Sequence, residues 1–155
     1  MFVEIPKNSS DKYEYNPITK KLELDRVLSM TYPEKYGFVP ETLASDGDTL
    51  DVICLTEKTT SAGTYVPIRI IGVLKMVDCG EQDDKILAVD NSESELDYIQ
   101  NLEDVPEERK KKIINFFSHY KDSEGKKVEV GKEFENKEEA IKILKECQEN
   151  YKRKL

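Results

Sequence analysis

Along the 155-residue chain, apolar positions recur at strand-like spacing over the first two-thirds and at helical spacing over the last third. Phe2–Ile5 is a short β-prone run. Asn16-Pro17 marks a turn before Lys21-Leu22-Glu23-Leu24-Asp25, which alternates with period two and reads as a strand. Leu50–Leu55 (LDVICL) has the continuous apolar character of a buried strand. Tyr65–Val77 is a longer β-rich run in which Gly72 predicts a bulge or bend, and Lys85–Val89 predicts one more strand.

The helical third opens at Asp104-Val105-Pro106-Glu107, which has an acid at the N-cap position, an early proline and an acid in the first turn. Ile113, Phe117 and Tyr120 follow at helical spacing, so this helix is expected to lay one face on a sheet. Asn136-Lys137-Glu138-Glu139 is a variant of the capping box. Ala140, Leu144, Cys147 and Tyr151 then form a stripe at intervals of four and three. The order suits a single domain over residues 1–155, built as a small antiparallel barrel flanked by helices; a sandwich with appended helices fits the same pattern.

Composition narrows the chemistry. Hydrophobic residues make up 37% and charged residues 36%, enough for one core in a polar chain. No apolar run approaches the roughly 20 residues that span a bilayer. The opening Met1–Pro6 lacks the regions of a secretory signal, so a cytoplasmic location is expected. The three cysteines, Cys54, Cys79 and Cys147, form no C-x-x-C pair, and His119 is the sole histidine. Thiolate zinc sites and histidine-based nucleophiles are therefore disfavoured, leaving carboxylates and hard cations for any hydrolytic chemistry. A net charge of −8 argues against a nucleic-acid partner.

The strongest local signal is Asp46-Gly47-Asp48-Thr49-Leu50-Asp51, three carboxylates where a glycine turn runs into an apolar strand. Such crowding is costly without a cation, and oxygen-only ligands suit Mg²⁺. As an EF-hand the segment fails, because the fifth place is Leu50 and the sixth, which must be glycine, is Asp51. A second acidic group, Asp78 to Lys85, lies between two predicted strands; by itself it is an ordinary polar hairpin. If it folds against the first, the pair could hold several ions and bridge a polyanion. Cationic donors for that polyanion are available in Lys12, Arg26, Lys85 and Lys121, and hydroxyl donors in Tyr32 and Tyr36.

Taken in order, these segments resemble the family I (soluble) inorganic pyrophosphatases. The likeness runs through Glu4-Ile5-Pro6-Lys7, Lys12-Tyr13-Glu14-Tyr15, Leu24-Asp25-Arg26-Val27, Tyr32-Pro33 and Tyr36-Gly37-Phe38. It continues through Asp46–Val52, Gly72–Asp78, Asp83–Val89 and Phe116–Lys121, and so covers nearly the whole chain. The resemblance implies a five-stranded OB-like β-barrel with two main helices packed on it. It also implies Mg²⁺-dependent hydrolysis of pyrophosphate to two phosphates with several ions per site, Mn²⁺, Co²⁺ or Zn²⁺ being substitutes. On this likeness Glu4, Asp46, Asp51, Asp78 and Asp83 match metal-binding acids, and Asp48 matches the general base that takes a proton from the attacking water. Lys12, Arg26, Tyr36, Lys85, Tyr120 and Lys121 match the phosphate-binding set, with Tyr32 a supporting match. The family likeness further implies a homo-oligomer, a hexamer at this length, and no membrane partner.

Departures from the family pattern touch none of these positions. Thr49, Ile70 and Asp90 stand where proline is usual, Cys79 replaces an acid beside Asp78, and the stretch between Arg26 and Tyr32 is short. Two rival classes remain to be weighed. An OB-type module for oligonucleotides or sugars would want exposed aromatics along a basic groove, whereas this chain has no Trp and acidic loops. A nucleoside-triphosphate hydrolase would want a Walker loop, and none is present.

Overall fold

The computed structural model describes residues 1–28 and 30–154. Nine strands come first in the chain, and a tenth lies between the two long helices near its end; the first five are β1 (Phe2–Ile5), β2 (Asp11–Asn16), β3 (Lys21–Val27), β4 (Lys35–Val39) and β5 (Leu50–Leu55). Then follow β6 (Ile68–Leu74), β7 (Met76–Asp78), β8 (Glu81–Gln82), β9 (Lys85–Asp90), α1 (Glu107–His119), β10 (Val128–Val130) and α2 (Lys137–Lys154). No helix among the described residues is long and apolar enough to cross a membrane.

The central sheet runs β1-β4-β5-β9-β6, with β10-β7-β8 and the β2-β3 hairpin as separate small sheets. It is mixed, since β5 and β9 pair in parallel while its other neighbours are antiparallel. The expected antiparallel barrel is corrected to this extent: the sheets are not closed by strand pairing. Beyond β1 the chain supplies the segment before β6, and Val3 N donates to Thr64 O at 2.9 Å while Gly63 N donates to Val3 O at 2.7 Å. Phe2 and Tyr65 form an isolated antiparallel bridge there, and Val66 N donates to Met1 O at 3.0 Å, but the segment is not a strand.

β5 reads as an unbroken apolar run because both of its faces are covered. Leu50, Val52 and Cys54 pack with Val73, Ile86 and Ala88 beneath Ala140, Ile143 and Cys147 of α2. Ile53 and Leu55 join the opposite cluster with Ile113, Phe116 and Phe117 of α1. The Tyr65–Val77 run divides into β6 and β7 at Lys75, and the register of β6 against β9 shifts between Ile70 and Gly72, as the glycine predicted. A Cβ on Gly72 would sit 2.7 Å from the Glu135 carbonyl oxygen.

Two local expectations change. Asp104 does not cap α1, whose N-cap is Pro106 with no side-chain bond. Its carboxylate instead accepts the Gln100 and Asn101 amides at 3.0 Å, closing a preceding 3₁₀ turn. Leu24 is 53% exposed, so the Lys21–Asp25 alternation does not bury both of its leucines. The second helix start stands: Asn136 Oδ1 accepts the Glu139 amide at 3.1 Å.

Candidate active site

Every metal-binding, phosphate-binding and catalytic candidate named from the sequence lines one cavity of about 380 Å³. Short range explains part of this convergence. In the β2-β3 hairpin Lys12 stands directly opposite Arg26, so the two cations enter the cavity as cross-strand neighbours. In the central sheet Asp51 of β5 is in register with Lys85 of β9 and with Phe38 of β4. Tyr36 therefore reaches the same carboxylate from one side as Lys85 does from the other. Its hydroxyl donates to Asp51 Oδ2 at 2.7 Å, and Lys85 Nζ donates to that oxygen at 2.7 Å.

The acidic loops supply the facing wall. Asp46 Oδ1 accepts the Asp48 amide at 3.0 Å in a turn whose Gly47 takes φ +89, leaving the Asp48 side chain exposed. Asp83 lies 2.9 Å from Lys85 Nζ, and Asp78 is bound by Lys121. Glu4 on β1 accepts the Tyr15 amide at 3.0 Å. No group of three or more acidic, histidine or cysteine side chains closes on one point among the described residues. Lys85 and Lys121 stand against the carboxylates instead.

Electrostatics shows how heavily the wall is loaded. Burial pushes the Glu4 carboxyl up to about 7 against the Tyr15 amide bond, with Asp51 raising it further. Burial also raises Asp46 and Asp83, the latter despite Lys85. For Asp78 burial acts in the same direction, but hydrogen bonds from Lys121 and Cys79 and the charges of Lys121 and Lys85 together outweigh it, and the carboxyl is lowered. Burial disfavours the Lys85 ammonium, yet Asp51 and Asp83 raise its pKa. Burial and then Asp51 raise Tyr36, so it is a hydroxyl donor at neutral pH. Tyr32 is 1% exposed and stacks on Phe116 at 4.4 Å between ring centres, holding the aromatic floor under Tyr36 and Tyr120.

Two features of the cavity were not legible in the motifs. Its remaining cations are engaged by acids of the rim: Lys12 lies 3.6 Å from Glu14 and 3.5 Å from Asp25, and Arg26 is held by Glu124. Asp25 could have been inferred from its place beside Arg26, but Glu124 is nearly a hundred positions away and carries no local signal. Further, two buried side-chain polar atoms among the described residues make no hydrogen bond, Asp78 Oδ1 and Arg26 Nε, although the latter lies 3.2 Å from Asp25 Oδ2. Both belong to this cavity.

Comparison with known proteins identifies the family. The model of a family described as inorganic pyrophosphatase matches residues 1–152. The chain belongs to the inorganic pyrophosphatase family. An inorganic pyrophosphatase of Nanoarchaeum equitans is 47% identical over 98% of this chain and 96% of its own length. One from Geobacillus stearothermophilus is 41% identical over 97% of this chain and 92% of its own. The crystal structure of the inorganic pyrophosphatase from Thermus thermophilus superposes with a TM-score of 0.93 at 39% identity, covering 98% of this chain and 90% of that one. Family membership thus rests on both sequence and shape along nearly the full length.

Proposed function

We infer that the chain hydrolyses inorganic pyrophosphate to two orthophosphates, using divalent cations of which Mg²⁺ suits the site best. One observation carries the reading beyond family membership: among the described residues the cavity holds a buried carboxylate oxygen without a partner, Asp78 Oδ1, and a buried donor, Arg26 Nε, that makes no hydrogen bond and has the Asp25 carboxylate at 3.2 Å to offset its charge. Unpaired buried polar atoms are costly, so each marks a place for a ligand. A carboxylate oxygen asks for a cation, and a guanidinium N–H asks for an anion. A cation-bearing phosphate compound satisfies both at once.

The donor set fits a hard cation. Glu4, Asp46, Asp51, Asp78 and Asp83 offer only oxygens, and burial raises Glu4, Asp46 and Asp83, as expected of acids short of positive charge. These five would hold the metal ions, which when bound neutralise phosphate oxygens and make water more acidic. Asp48, exposed on the turn between Asp46 and Asp51, takes the proton of the attacking water at its carboxylate. Lys12, Arg26, Lys85 and Lys121 bind phosphate oxygens and spread the charge that develops on the departing phosphate, while Tyr36 and Tyr120 donate their hydroxyls. Lys85 and Lys121, now paired with Asp51, Asp83 and Asp78, would be released to phosphate were cations held by those acids. By family likeness the working protein is a homohexamer.

Phosphate release from pyrophosphate, with and without millimolar Mg²⁺, tests the reading. Fast release that depends on Mg²⁺ and strongly prefers pyrophosphate over ATP is expected. Comparable ATP turnover with Mg²⁺, or no release with Mg²⁺, Mn²⁺ or Co²⁺, overturns it.

A further inference from the structure

Asp83 and Lys85 enter the cavity side by side but are fixed by different means. Lys85 belongs to β9 and is paired on both edges, opposite Asp51 of β5 and Leu74 of β6. Asp83 belongs to no strand, since residues 83 and 84 separate β8 from β9. A carboxylate on such a link needs an anchor if it is to stay where burial already disfavours its charge.

The residue behind it provides one. Asp83 N donates to Met76 O at 2.9 Å, and Met76 N donates to Asp84 Oδ1 at 3.2 Å. The two bonds imitate a ladder pair, with the Asp84 carboxylate standing in for a backbone carbonyl. Its other oxygen accepts Gln82 Nε2 at 2.7 Å and lies 3.5 Å from Lys75 Nζ. Lys75 in turn donates to Glu139, in the first turn of α2, at 3.2 Å. The Asp84 side chain is 7% exposed and faces away from the catalytic cavity, into a separate cleft between β7, β8 and β10.

We propose that Asp84 is a positioning residue: it ties the link between β8 and β9 to Met76 and thereby sets the place of Asp83. The proposal rests on the reading of Asp83 as a cation ligand given above. It has a definite consequence. Asp84 governs affinity for the divalent ion, while phosphate binding, which uses Lys85 and the cations of other elements, is little affected. The tether needs an oxygen acceptor at the reach of an aspartate; it does not need a negative charge.

Three variants separate tether from charge. Asp84→Asn keeps the acceptor for Met76 N and loses the charge. Asp84→Glu keeps the charge but carries it one methylene too far, and Asp84→Ala removes both. Mg²⁺ binding is read by isothermal titration and by the Mg²⁺-dependent rise in Tm, neither of which needs turnover. KM for pyrophosphate is measured separately at saturating Mg²⁺. Expected are a weakening of Mg²⁺ affinity by about 10-fold in Asp84→Glu and Asp84→Ala, and near wild-type affinity in Asp84→Asn. KM should stay within about twofold throughout, as a tether that acts only on a metal ligand requires. Should Asp84→Ala fail to fold, the Asn and Glu variants still decide the matter.

Weakened Mg²⁺ binding in Asp84→Asn with normal binding in Asp84→Glu overturns the tether in favour of simple attraction by charge. Unaltered Mg²⁺ affinity in every folded variant overturns it as well. A wild-type protein that takes up no Mg²⁺ would defeat the functional reading itself, a result distinct from either of these.

Discussion

Among the described residues the Asp48 side chain has no partner, unlike the four aspartates near it. Asp51 and Asp83 face Lys85, Asp78 faces Lys121, and Asp46 accepts an amide, whereas the Asp48 side chain stands exposed at the tip of the turn. That freedom suits a proton acceptor, which must gain and lose a proton in every cycle. Asp48→Asn should therefore fold and bind Mg²⁺ much as before while kcat falls by about 10²–10⁴-fold. Steady-state kinetics beside a Mg²⁺ titration checks this, and near-normal turnover removes Asp48 from the role. The residues of the Asp46–Asp51 motif were legible because all three acids lie within six residues, in a turn and the start of β5, where spacing and geometry nearly coincide. Glu124 on Arg26 was not, because nothing in the local sequence reports a contact made across the fold.

At the scale of elements, the narrowest tolerance lies between β1 and β4. A Cβ on Gly37 would stand 1.9 Å from the Phe2 carbonyl oxygen and 3.1 Å from Val3 Cα, so the close approach of the two strands depends on that glycine. Backbone atoms cannot turn aside as a flexible side chain can. Gly37→Ala is expected to cost about 3 kcal/mol, read as a lower urea midpoint. It should also loosen β1, which carries Glu4 into the cavity. A midpoint equal to wild type would mean that β1 shifts without strain. The strands that carry the continuous apolar runs, β5 and β9, were plain in the sequence. β4 and β10 were not, since Lys35–Val39 opens on a lysine and Val128–Val130 is too short for a period to declare itself.

Across the whole molecule, the side of the sheet remote from the cavity is held by a buried ion pair. Lys35 Nζ donates to Asp90 Oδ2 at 2.6 Å and to Thr60 Oγ1 at 2.8 Å, with neither charged side chain exposed. Burial would raise Asp90, but bonds from Lys35 and Ser92 outweigh it and hold the carboxyl down at about 2. A carboxyl depressed in the folded state stabilises the fold above its ordinary value of 3.8, and that contribution is lost as pH falls through about 2. Replacing the pair by Lys35→Met with Asp90→Leu should remove about 2 kcal/mol of the acid sensitivity between pH 4 and 2. Urea unfolding across that range measures it, and an identical pH dependence in the double variant refutes the assignment. Asp90 stood out in the sequence only as a residue where the family pattern has proline; its partner lies on a strand that pattern analysis did not find.

What the sequence determined by itself is therefore the chemistry and its inventory. Residue types are local facts: the absence of a cysteine or histidine framework and the crowded aspartates narrow any hydrolytic chemistry to carboxylates and hard cations before any contact is known. Resemblance then supplied the roles. The tertiary structure alone decided which groups meet. The parallel pairing of β5 with β9 puts Asp51 beside Lys85, the hairpin register puts Lys12 opposite Arg26, and β1 meets the segment before β6 through an isolated bridge rather than a strand pairing. Those outcomes depend on strand register and on contacts between distant segments. Neither is written in the short periods by which a single sequence shows its strands and helices.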